Sequence, residues 1–144
     1  MTSEIIWSGS CICGHAGYVA NGPAIFQGRC YCADCHKESG TGHVSTLAVA
    51  DTVLEVSGEL NSFTRPCDRG GTITHSFCPL CATTLFHRSS NLQGVTILRA
   101  GTLDDDSNYT PEIAIYASSA AAWDQPPEGL MAFPKMPPEY EPNN

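Results

Sequence analysis

Positive charge is scarce in this 144-residue chain, where seven Lys and Arg stand against fifteen Asp and Glu for a formal net charge of −8. The basic residues form no run. Nucleic-acid binding needs a basic footprint, so nucleic acid and anionic membrane surfaces are not expected partners. Long apolar runs are missing too, none approaching the ~18 residues of a membrane helix. The opening MTSEIIWSGS has no basic n-region and no apolar stretch of signal length, which reads as a cytoplasmic, reduced setting. Helix-period patterns are few. Disorder throughout is excluded by 42% hydrophobic and only 15% charged residues, and the length fits one domain.

Cysteine is what the chain does have. Seven of its eight cysteines fall in three clusters: Cys11 and Cys13; Cys30, Cys32 and Cys35; Cys78 and Cys81. Only Cys67 stands apart. In a reducing compartment such clusters favour metal binding or catalysis over disulfides, and a Cys11–Cys13 bridge would be a strained, very small ring. Thiolates two or three residues apart can reach one ion at about 2.3 Å. Two pairs make one closed tetrahedral site, whereas a trio leaves room for an incoming molecule. The count therefore suggests one structural and one catalytic zinc, about two per chain. Spacing alone does not fix which clusters share an ion. Nor does it exclude a fourth ligand for the trio from Cys67, His36, His43, His75 or His87. None of the runs has the usual ferredoxin spacing of an iron–sulfur protein.

Runs rich in β-formers, separated by Gly, Pro, Asn and Asp, predict strands over 4–8, 16–20, 25–31, 44–50, 53–56, 62–65, 72–77, 84–87, 95–100 and 113–116. One short helix is expected from Ala33 to Gly40. The expected fold is mainly β, antiparallel, in a single domain over 1–124. Residues 125–144 hold six of the ten prolines, yet Leu130, Met131, Phe133 and Met136 are apolar, so this stretch reads as an extended strap laid over the domain.

Asp34 and His36 flank Cys35 and could orient water or move a proton. The same positions suit a helix-start acid or a hydrogen bond to sulfur. Cys67 reads as a small buried thiol or a reactive one. Asp104–Asp106 reads as a solvated turn, and Trp7 and Trp123 as core or strap contacts.

Taken together, Gly9-Ser10-Cys11-Ile12-Cys13-Gly14, Cys30-Tyr31-Cys32-Ala33-Asp34-Cys35, Phe77-Cys78-Pro79-Leu80-Cys81 and Gly101-Thr102-Leu103-Asp104 resemble the glutathione-dependent formaldehyde-activating enzyme family, also called the GFA or centromere protein V family, over about residues 8–138. The resemblance implies an Mss4-like β-tent stabilised by zinc. It also implies that Cys11, Cys13, Cys78 and Cys81 are structural ligands, and Cys30, Cys32 and Cys35 catalytic ones. The implied activity is a carbon–sulfur lyase acting on adducts of glutathione, or another small thiol, with formaldehyde or a related carbonyl. Arg29, Lys37, Arg65, Arg69 or Arg88 would then clamp the substrate carboxylates. A non-catalytic zinc module that binds a protein, and a carrier of glutathione adducts, are the alternatives. The chain departs from the family pattern at Tyr31, at His36 where Arg is common, and at Ala82 where Gly is usual. An Ala at that turn is expected to avoid positive φ. The sequence specifies no oligomeric state.

Overall fold

The computed structural model describes residues 5–140. Its strands are β1 (Ile6–Ser10), β2 (Gly17–Asn21), β3 (Phe26–Cys30), β4 (Val44–Ala50), β5 (Leu54–Ser57), β6 (Asn61–Pro66), β7 (Thr72–Phe77), β8 (Thr84–Ser89), β9 (Val95–Arg99), β10 (Ile113–Ile115) and β11 (Met131–Ala132). One helix, α1 (Ala33–Ser39), follows β3. The protein is mainly β, as its turn-punctuated β-formers predict. Position 4 of the first expected strand lies outside the described residues.

Two sheets form. The smaller has the order β1-β2-β5, the larger the order β11-β10-β3-β4-β9-β8-β7-β6. Pairing is antiparallel except at one edge of the large sheet, where β10 runs parallel to both β3 and β11. That edge adds a parallel element to the expected antiparallel fold. A crossover from β9 returns the chain alongside β3, a route that turn chemistry does not reveal. Gly28 permits the approach, since a Cβ there would meet the Ile113 side chain at 2.7 Å.

Trp7, Tyr18 and Ala20 of the small sheet share one buried cluster with Leu47, Val49, Leu85 and Leu98 of the large sheet. Residues i and i+2 of a strand share a face, which is how alternate residues of β1 and β2 reach this core. Trp7 is buried and donates from Nε1 to the Gly22 carbonyl at 3.0 Å. Trp123, by contrast, is 72% exposed and belongs to no core, so its expected packing role is not met.

Past β11 the chain stays on the large sheet. Phe133 N–H donates to the Ala114 carbonyl at 2.8 Å and Tyr116 N–H to that of Lys135 at 3.1 Å. Arg69 Nη1 donates to the Tyr140 carbonyl at 2.9 Å, and the Phe26 and Tyr140 rings lie 5.5 Å apart. Proline-rich sequence lacks donors for a central strand, but it can lie along an edge. Among the described residues, no helix is long and apolar enough to cross a membrane.

Candidate active site

The sulfurs of Cys11, Cys13, Cys78 and Cys81 converge within 4.8 Å of one another, and those of Cys30, Cys32 and Cys35 do the same. All eight cysteines are free thiols. The first group joins two turns. Cys11 follows β1, and Cys78 follows β7 just past a register irregularity at Ser76 and Phe77, where Leu85 is the extra residue on β8. Backbone N–H groups of Ala16 and Leu80 donate to the sulfurs of Cys11 and Cys78 at 3.3 and 3.4 Å. The Ala16 donor lowers the Cys11 thiol below its usual range. The Cys11–Cys13 and Cys13–Cys78 sulfur separations are both 3.7 Å. Sulfurs about 2.3 Å from a tetrahedral ion lie about 3.8 Å apart, so this donor set fits zinc.

Ala82 closes the second of these turns with φ 65°, its N–H donating to the Cys78 carbonyl at 2.8 Å. The expectation that alanine would avoid positive φ is overturned. The turn's hydrogen bonds fix the geometry and the residue accepts the strain.

The second group comes from one short segment. Cys30 ends β3, held between Val44 of β4 and Ile115 of β10. The fully buried Tyr31 then anchors the chain. Cys32 caps α1, its sulfur accepting the Cys35 N–H at 3.2 Å, and Gly40 ends the helix in the left-handed region. Three packed thiols cannot all ionise without a cation. Contacts with Cys30 and Cys35 lower the Cys32 thiol to about 2. Its contact with Cys32, then that with Cys35 and burial, push Cys30 well above the usual thiol range. One thiolate is favoured and its neighbours hold their protons, which is the polarity a bound cation would relieve. Among the described residues, no fourth Cys, His, Asp or Glu ligand atom joins this group. Cys67 and His36, His43, His75 and His87 therefore stand apart from it.

A cavity of about 240 Å³ opens against these three sulfurs. Its polar lining includes Asp34, Arg65, Cys67, Asp68, Arg69, His87 and Tyr116. His36 is absent from the lining, and its Nε2 is enclosed without a partner. Asp34 Oδ2 accepts from Arg65 Nη1 at 3.0 Å. Of the five cations considered as clamps, Arg65 and Arg69 line the cavity, whereas Arg29, Lys37 and Arg88 do not. Arg88 instead lies over the Phe86 ring and donates to Thr96.

Behind this wall lies a charged network. Arg65 Nε donates to His75 Nε2 at 3.0 Å, while His75 Nδ1 lies 3.2 Å from Arg99 Nη2 and 3.7 Å from Glu38 Oε1. Arg99 Nη1 donates to Glu38 Oε2 at 2.8 Å. Burial first, then the field of Arg99, lowers His87 well below the usual imidazole range, so it is neutral, and its Nδ1 has no protein partner. Arg99 and the His75–Glu38 pair were not singled out as a unit from sequence. Their positions, 38, 75 and 99, meet only through the β7-β8-β9 pairing and the helix packed beside it.

Residues 6–119 match the family model described as glutathione-dependent formaldehyde-activating enzyme. The chain belongs to this family. A crystal structure of a Rhodobacter sphaeroides protein is similar in fold, with a TM-score of 0.55 at 17% identity, over 72% of this chain and 97% of that one. No curated protein matches the chain. Family membership suggests glutathione-dependent formaldehyde activation, and the two sulfur groups are compatible with zinc.

Proposed function

We propose that the protein is a zinc-dependent carbon–sulfur lyase that splits, or forms, the adduct of a small thiol such as glutathione with a small carbonyl compound. The observation that carries the reading is a three-sulfur group with a cavity against it, in a chain of this family. Cys30, Cys32 and Cys35 would hold the catalytic zinc, and Cys11, Cys13, Cys78 and Cys81 the structural one. Zinc supplies Lewis-acid stabilisation of a thiolate or of a developing oxygen anion.

The remaining work falls to side chains. Arg65 and Arg69 attract the carboxylates of the thiol, and Asp34 holds Arg65 in place through their 3.0 Å bond. In the cleavage direction the hydroxyl proton leaves, the C–O bond becomes a carbonyl, and the C–S bond breaks to release thiolate. Neutral His87, which lines the cavity and whose buried Nδ1 has no protein partner, is the candidate to accept that proton. His36, a residue of α1 outside the lining, is better assigned to packing. Of the strap expected over 125–144, Met136 and Tyr140 line one side of the cavity, and 141–144 lie outside the described residues. A reducing cytoplasm suits free thiols and a thiol substrate.

The test is thiol release from glutathione adducts by zinc-loaded protein. Wild type should turn over, and Cys32→Ser should lose at least about 100-fold in kcat/KM, a difference of about 2.7 kcal/mol in transition-state stabilisation. Equal rates reject the mechanism. Saturable binding without turnover selects the carrier reading instead.

A further inference from the structure

Formaldehyde leaves a carbon with no side chain, and a hydroxymethyl group would fill only a small part of a cavity of about 240 Å³. Part of the wall is apolar, with Phe26, Ile73, Leu92, Ile97, Ile115 and Met136 among the lining residues. These come from β3, β7, the β8–β9 turn, β9, β10 and the C-terminal strap, so six separate segments bring apolar side chains to the one cavity. The charged ends of glutathione cannot be the occupant of that surface, because burying an unpaired carboxylate or ammonium there is costly. Their place is beside Arg65 and Arg69. What is left to meet the apolar wall is the group attached to the carbonyl-derived carbon.

We infer that the cavity selects thiol adducts whose carbonyl-derived carbon bears an apolar chain or ring, the hemithioacetals of apolar aldehydes, in preference to that of formaldehyde. This rests on the proposed lyase reading for the reaction but concerns what the apolar wall binds. Specificity then comes from removing methylenes from water, each worth about fourfold in affinity when buried. Leu92 and Met136 are the best-placed determinants, since both are partly exposed and neither belongs to the main hydrophobic core.

Binding and turnover are measured separately, with zinc-loaded protein throughout. In calorimetry, the unreactive thioethers S-methyl-, S-propyl- and S-hexylglutathione should bind progressively tighter, by about fourfold per methylene until the cavity is filled. Leu92→Asp and Met136→Ser should each flatten that slope. Equal affinity across the series, absence of binding, or an unchanged slope in both variants overturns the inference. Turnover of the formaldehyde, propanal and hexanal adducts of glutathione should rise in kcat/KM in the same order. A steep binding slope without any turnover sinks the lyase reading and leaves the pocket's selectivity standing. Turnover fastest for the formaldehyde adduct, with flat binding, does the reverse.

Discussion

The two sulfur groups use the same donor atom but are built in opposite ways. The four-sulfur group draws its members from positions 11, 13, 78 and 81, so an ion there closes a long loop and ties β1 to the β7–β8 turn. Its sulfurs receive backbone N–H bonds from their own turns. The three-sulfur group lies within positions 30 to 35 and closes almost nothing. It faces a cavity, and guanidinium groups lie close enough to act on it: Arg65 helps lower Cys32, and Arg99 opposes the rise of Cys35. Loop closure makes one group a fastener of the fold. Cavity and field suit the other to the proposed chemistry.

The sharpest way to break this contrast is to remove one sulfur from each. Cys78→Ser should cost about 4 kcal/mol or more, lowering Tm by on the order of 10 °C in a domain of this size. Cys32→Ser should lower Tm by less than about 5 °C while abolishing thiol release. Thermal denaturation followed by circular dichroism checks both. Equal losses of Tm would mean that the two groups share one role.

Metal removal probes the same difference without mutation. Titrating a chelator into protein loaded with two zinc ions should take the ion of the three-sulfur group first, because its ligands span one short segment. Activity should then disappear while the far-ultraviolet spectrum is unchanged, and the fold should yield only with the second ion. Simultaneous loss of activity and structure would contradict the assignment.

How much of this contrast was legible in the sequence depends on range. The clusters are local, and so are the turns and α1, whose Ala33 start and Gly40 stop are chemical signals in the chain itself. Strand positions followed from β-formers between turns. The parallel pairing of β10 with β3 was not legible, because nothing near Ile113 names its partner. Arg99, His75 and Glu38 were equally hidden. Their bonds arise from strand register, and an isolated arginine in sequence looks like a surface residue until it is found buried. His36 and His87 teach the converse. Proximity in sequence to Cys35 drew attention to His36, whereas the sheet carries His87 to the cavity.

The buried histidines give a smaller, pH-dependent effect on the cavity side of the comparison. His75 and His87 are both lowered from the usual 6.5, first by burial and then by charges that include Arg99. The unfolded chain takes up protons at these groups as pH falls through about 6.5, while the folded chain does not. Their contribution to stability is therefore present above pH 6.5 and is lost on acidification. His87→Asn should lose less Tm than wild type between pH 6.5 and 5. Thiolate protonation acts on both proteins, so the difference between the two profiles isolates His87. Parallel profiles would place His87 outside the acid response.

The smallest expected effect lies within the four-sulfur group, where the two turns solve one problem differently. Gly14 follows Cys13 with φ 79°, and Ala82 follows Cys81 with φ 65°. The left-handed region costs an L-residue about 1–2 kcal/mol, whereas glycine there gives back about 0.4–1 kcal/mol through the freedom of the unfolded chain. Ala82→Gly should thus gain about 0.5–1 kcal/mol, or about 1–4 °C in Tm. Gly14→Ala should lose a similar amount, since a Cβ at Gly14 would meet nothing within 4 Å and only the backbone term acts. Opposite signs of matching size would show that both turns bear the same strain. A loss on Ala82→Gly would mean that the methyl group contributes packing worth more than the backbone strain it imposes.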